Sequence, residues 1–157
     1  MRHTTMHSVS RIAGAVLLCS VATGVAAGNS SYTVSNDKWV SECGACHLAY
    51  PPQLLSAESW RGVMKGLDRH FGVDASVDAA TGRELQTFAE SSSATGKQAT
   101  GPATLRITES RWFVRKHDEL PAGVWTRPAI KSASNCAACH PQAERGVYNE
   151  RAVRVPR

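Results

Sequence analysis

At 157 residues the chain has room for one domain or two very small ones, and its 42% hydrophobic and 20% charged residues exclude collagen-like, disordered and multi-span membrane classes. Only 6% of the residues are aromatic, so the polypeptide alone is short of core material and something else is expected to fill its interior. A net charge of +5 without interleaved basic and aromatic residues gives no reason to expect nucleic acid as a partner.

Residues 1–27 read as a secretory signal peptide cut after Ala27. Arg2 and Arg11 give the basic start, Ile12 to Val25 is an apolar run of 14 residues, and Val25-Ala26-Ala27 offers the small residues a signal peptidase needs. That run is short of the ~20 residues of a bilayer span, which argues against a retained anchor. Cys19 follows Leu18 rather than Gly or Ala, which argues against a lipid anchor. Cleavage leaves 130 residues with four cysteines, four histidines, a net charge of +3 and no transmembrane segment. The mature chain is expected in the periplasm, an oxidising compartment.

Asn36 or Ser35 can cap a first helix through Asp37-Lys38-Trp39-Val40 into Cys43-Gly44-Ala45-Cys46-His47, and Pro51-Pro52 ends it. Ser56 caps a second helix in which Trp60, Val63, Met64, Leu67 and Phe71 form one apolar stripe, with Gly72 as the stop. His70 lies on that stripe. Asp78 caps a third helix, about Ala79 to Glu90, with Leu85, Phe88 and Ala89 inward. Ser91 to Pro102 has no apolar face and reads as a linker or long surface loop. Thr108 caps a short helix with Trp112 and Phe113; His117 lies on its buried face, and Pro121 and Gly123 end it. After a loop, Asn135 or Ser134 caps the turn Cys136-Ala137-Ala138-Cys139-His140, which Pro141 keeps brief.

Both cysteine pairs have the form C-x-x-C-H, the pattern of c-type haem attachment. Each thiol adds to one haem vinyl group, two intervening residues set the sulfur separation, and the following histidine is aimed at the iron. Thioredoxin-type disulfides are disfavoured because no βαβ pattern accompanies the pairs and a histidine follows both. A shared zinc site is disfavoured because zinc-binding pairs usually lie about 15–20 residues apart, far closer than these. Two covalent haems are therefore expected on Cys43 and Cys46 and on Cys136 and Cys139.

His47 to His70 and His117 to His140 are both 23 residues apart, and the mature chain has no other histidine. Two six-coordinate irons need four axial ligands, so bis-histidine coordination is expected, His47 with His70 and His117 with His140. Crossed pairing would require interleaved halves. Met64 is the only methionine of the mature chain, so at most one iron could be His/Met.

The stretches CGACHLAYPPQLL, SWRGVMKGLDRHFG, LRITESRWFVRKH, SNCAACH and AERGVYNERAVRVPR together resemble the bacterial dihaem cytochrome c family, over nearly all of the mature chain. The resemblance implies two small haem domains, bis-histidine irons and electron transfer. It also implies an oxygen-binding monohaem cytochrome c as redox partner and a membrane cytochrome b as the source of electrons. The expected fold is mostly α. A cytochrome c-like N-terminal haem domain (28–90) is followed by a linker (91–102) and a loop-rich C-terminal haem domain (103–157).

The chain is thus read as a non-enzymatic electron carrier. The rival readings are a haem enzyme, such as a peroxidase, with one open iron position, and a subunit that merely holds haem in a larger complex. Residues 28–100 carry a net charge of −2 and residues 101–157 one of +5. Arg145, Arg151, Arg154 and Arg157 make the tail basic, either as a solvated tail with Arg–propionate pairs or as a docking face for an acidic redox partner.

Overall fold

The computed structural model describes Met1 and residues 32–157. The leader reading, Cys19 included, falls apart from Met1 outside the described residues. Among those residues the secondary structure is helical, without strands: α1 (Asp37–Cys43), α2 (Ala57–Lys65), α3 (Ala79–Ser91), α4 (Arg111–Lys116) and α5 (Cys136–Cys139), joined by short 3-10 turns.

Helix α1 begins where the Asn36 side chain accepts the Trp39 amide at 2.8 Å, satisfying one of the free first-turn donors, and Asp37 sits favourably against the helix dipole. It ends at Gly44, where an added Cβ would fall 2.2 Å from the Val40 carbonyl oxygen. The only residue that fits this close approach is glycine, and the approach turns the chain outward toward Cys46 and His47.

The first core joins Trp39 of α1, Trp60 and Val63 of α2, and Leu85 and Ala89 of α3, with Leu55 beneath them. Trp39 and Trp60 meet edge to face, ring centres 5.2 Å apart. Each buried indole keeps its polar end satisfied: Trp39 donates to the Tyr50 carbonyl at 3.1 Å and Trp60 to the Pro52 carbonyl at 2.7 Å.

Helix α3 is capped by Asp78, whose carboxylate accepts from the Ala80 and Thr81 amides at 2.9 and 3.1 Å. The Thr81 and Ala80 hydrogen bonds hold that carboxyl below the usual carboxylate range. Helix α2 departs from expectation. It ends at Lys65 with Gly66 as its cap, not at Gly72. Gly66 is a poor helix former and offers an earlier exit. The chain then takes a 3-10 turn over Leu67–Arg69, and Phe71 sits at φ 50°, half-exposed rather than inward.

Segment 91–102 lies against the first half. Ala94 is buried and donates to the Leu55 carbonyl at 2.8 Å, and Gln98 donates to the Gln53 carbonyl at 2.7 Å. Ile107 packs on the first core. Helix α4 is capped by Ser110, which accepts the Phe113 amide at 3.1 Å, and not by Thr108, which lies in the preceding 3-10 turn. It ends at His117, ahead of Pro121 and Gly123.

Around α5 a second, smaller core forms from Val124, Ile130 and Cys139. Asn135 stands at the N-cap of α5, but without a side-chain capping bond; its side-chain amide donates instead to the Ile130 carbonyl at 3.0 Å. The last residues fold back over this core. The Arg154 amide donates to the Cys139 carbonyl at 2.8 Å, and Arg127 donates to the Pro156 carbonyl at 2.7 Å. The two ends of the described chain meet where the Tyr32 amide donates to the Gly146 carbonyl at 2.8 Å. Gly146 has φ 73°, and a Cβ there would lie 1.8 Å from the Tyr32 carbonyl oxygen.

Two candidate haem sites

The first site is a cavity of about 540 Å³ between α1, α2 and the 67–77 segment, lined by both C-x-x-C thiols of Cys43 and Cys46 and by His47 and His70. Its volume lies within the range of cofactor pockets. Trp39, Trp60, Val63 and Leu85 give it apolar walls, so the gap in the core is where the shortage of aromatic residues falls.

His47 and His70 face each other with ring centres 6.2 Å apart and planes inclined by 27°. His117 and His140 face each other at 6.3 Å and 77°. A metal–imidazole bond is about 2.0–2.1 Å and the ring centre lies about 1.1 Å beyond the nitrogen, so two rings across one metal ion stand about 6.3 Å apart. Packed aromatic rings without an ion span about 4.5–7 Å, as Phe113 and Trp125 do at 6.1 Å, so the separation admits a shared ion and the adjoining C-x-x-C-H motifs supply the reason to place one there. Both pairs match the separation of two imidazoles with an ion between them. The pairs are the local ones; crossed pairing is not what the chain brings together.

Hydrogen bonds orient the rings. His47 Nδ1 lies 2.8 Å from the Leu48 carbonyl oxygen and His117 Nδ1 lies 2.9 Å from that of Phe113. A proton held on Nδ1 leaves Nε2 free to bind a metal. Burial, and then the facing His47, lowers the pKa of His70; burial, and then His117, lowers that of His140. Both shifts favour the neutral, ligating form of the imidazole.

The second site leaves polar groups unmatched. His140 Nδ1 and Tyr148 Oη are buried without a partner, and the two rings lie 5.2 Å apart. Such groups are destabilising unless completed, and the carboxylates of a haem are acceptors that the Tyr148 hydroxyl and the His140 Nδ1–H lack. The residues present fit a haem at each site.

The alternative uses of the cysteines fit poorly. Cys43, Cys46, Cys136 and Cys139 are all free thiols, not disulfides. Burial pushes the Cys43 and Cys136 thiols up to about 11. Among the described residues no three His, Cys, Asp or Glu side chains converge on a common ion position. Met64 also lines the first cavity, but His47 and His70 already stand at the two-ligand spacing.

Tyr50 was not singled out from the sequence. Its ring stacks on His47 with centres 4.9 Å apart, its hydroxyl donates to the Ser134 carbonyl at 2.6 Å, and burial pushes that hydroxyl up to about 12. Cys136 of the second motif also lines the first cavity, so the two sites adjoin. Tyr148 was likewise missed. Neither tyrosine falls on a helical stripe, so periodicity carries no signal for either.

The sequence profile described as dihaem cytochrome c matches residues 39–148. Among solved structures, a diheme cytochrome c from Rhodobacter sphaeroides is 38% identical, with 75% of this chain and 100% of that chain covered and a TM-score of 0.67. A second structure of the Rhodobacter sphaeroides protein gives 40% identity, 74% and 99% coverage and a TM-score of 0.65. A diheme c-type cytochrome from Shewanella baltica OS155 gives 36%, 77% and 93%, and 0.68. No curated protein matches.

Proposed function

Because the chain belongs to the dihaem cytochrome c family and so carries two c-type haems, we propose that it is a periplasmic electron carrier working between a membrane-side donor and a soluble haem protein. When bound, each haem supplies one-electron exchange between ferric and ferrous iron. In this reading Cys43 and Cys46 anchor one haem and Cys136 and Cys139 the other. His47 with His70, and His117 with His140, hold the irons. The observation that carries it is the pair of imidazole separations, 6.2 and 6.3 Å.

Two imidazoles on each iron leave no open position for a substrate, which favours a carrier over a peroxidase. Rings fixed by Leu48 and Phe113 change little between oxidation states, and histidine in place of methionine lowers the potential. Export rests on the reading of residues 1–27; among the described residues no helix is long and apolar enough to cross a membrane. The division into haem units at 28–90 and 103–157 belongs to the same proposal, as do a membrane cytochrome b and an oxygen-binding monohaem cytochrome c as partners.

Arg145, Arg151, Arg154 and Arg157 are exposed on the segment that covers the second site. We assign them to the docking of an acidic partner. Reversing Arg151, Arg154 and Arg157 to Glu should slow second-order electron transfer with an acidic haem protein by about tenfold at low salt, within the range of electrostatic steering. The difference should vanish near physiological ionic strength and above, where screening shortens the reach to about 8 Å or less. Stopped-flow rates across an ionic-strength series check this; a rate indifferent to both charge and salt would leave the arginines as a solvated tail.

A further inference from the structure

The two haem motifs are tied by a contact that spans 84 residues. The Tyr50 ring lies on the His47 ring, centres 4.9 Å apart and planes inclined by 27°. Its hydroxyl donates to the Ser134 carbonyl oxygen at 2.6 Å. The same oxygen accepts the backbone N–H of Cys136 at 2.9 Å. A carbonyl oxygen has two lone pairs, so both bonds form together.

Both ends of the tie are braced. The Tyr50 carbonyl accepts the indole N–H of buried Trp39, and Pro51 and Pro52 follow, both buried. The Ser134 amide is held by the Ser132 hydroxyl at 3.2 Å, and the neighbouring Asn135 by Ile130. A half-buried tyrosine clamped at its backbone, ring and hydroxyl is a rigid spacer, not a surface side chain.

We infer that Tyr50 is the positioning residue that couples the two haem sites, fixing the ring of His47 to the backbone that presents Cys136. The inference rests on the reading of His47 as an axial ligand and Cys136 as a haem attachment point. The reaction it serves is balanced within the molecule. One electron leaves the reduced site and enters the oxidised one, no bond forms or breaks, and Tyr50 keeps its proton. Tyr50 sets the distance and orientation across which that electron passes.

The test uses the mature protein with both haems attached. A single electron is injected photochemically, and the relaxation to the equilibrium distribution between the haems is followed. Ferric EPR is recorded on the same samples; the near-parallel and near-perpendicular histidine pairs give it two distinguishable signals. Tyr50→Phe keeps the ring on His47 but removes the donor to Ser134, and should slow the relaxation several-fold with both low-spin signals retained. Tyr50→Leu should slow it further and shift only the first-site signal, because His47 loses the ring that orients it. If Tyr50→Leu fails to take up two haems, Tyr50→Phe still decides. Relaxation in Tyr50→Phe equal to the unmodified protein's overturns the inference. A high-spin iron in the unmodified protein instead overturns the bis-histidine reading beneath it.

Discussion

Replacing His70 with alanine should convert one haem from six-coordinate low spin to high spin and leave the other unchanged, and His117→Ala should do the same at the opposite site. The expectation follows from geometry. The two pairs of rings stand at 6.2 and 6.3 Å, a separation that matches a shared metal ion, and among the described residues no third imidazole lies at either pair. Optical and EPR spectra read the spin state, and the opened iron should bind carbon monoxide or cyanide quickly where the unmodified protein does not. His70→Met should restore six ligands and raise that haem's potential, since thioether favours ferrous iron over ferric relative to imidazole. A fast-binding high-spin iron in the unmodified protein, or a ferric methionine charge-transfer band from Met64, would contradict bis-histidine coordination.

Removing both anchors of the first haem, Cys43→Ala with Cys46→Ala, should halve the covalent haem per chain. Haem that survives denaturation and acidified organic solvent reads this directly. The loss should reach beyond redox chemistry. The first core surrounds a cavity of about 540 Å³ with Trp39, Trp60, Val63 and Leu85 on its walls. A lining without its occupant loses dispersion contacts and exposes apolar surface, so the variant should melt at a lower temperature than its parent. Cys136→Ala with Cys139→Ala also removes a packing element, because Cys139 is itself part of the second core. Zinc in the purified protein, or haem that extracts freely, would overturn the assignment.

The attachment motifs were legible in the sequence because covalent chemistry fixes their spacing within five residues. The histidine pairs that the structure brings together were legible by number, four imidazoles for four expected axial positions, but the element presenting His70 was not. Helical periodicity carried α2 through to Phe71, whereas Gly66 releases the chain six residues after Trp60, and a 3-10 turn delivers the imidazole instead. Thr108 and Ser110 are both competent caps, and propensity alone does not choose between them; the backbone places the Ser110 hydroxyl on the Phe113 amide. The 91–102 segment looked unattached because its composition is polar, yet Ala94 and Gln98 fasten it through the backbone carbonyls of Leu55 and Gln53, which no side-chain pattern reveals. Tyr50 was invisible for a related reason: its partner is a carbonyl, and every residue has one.

The close approach of Tyr32 to Gly146 also bears on how the molecule comes into being. A polypeptide emerging amino terminus first exposes Tyr32 early, but its acceptor lies near the other end of the described chain. Cys43 and Cys46 therefore emerge while the segment ahead of them is still without its partner. Cys139 is overlaid by Arg154, a residue that emerges later still. Both contacts therefore require the carboxy-terminal segment, which holds Tyr32 through Gly146 and overlies Cys139 through Arg154.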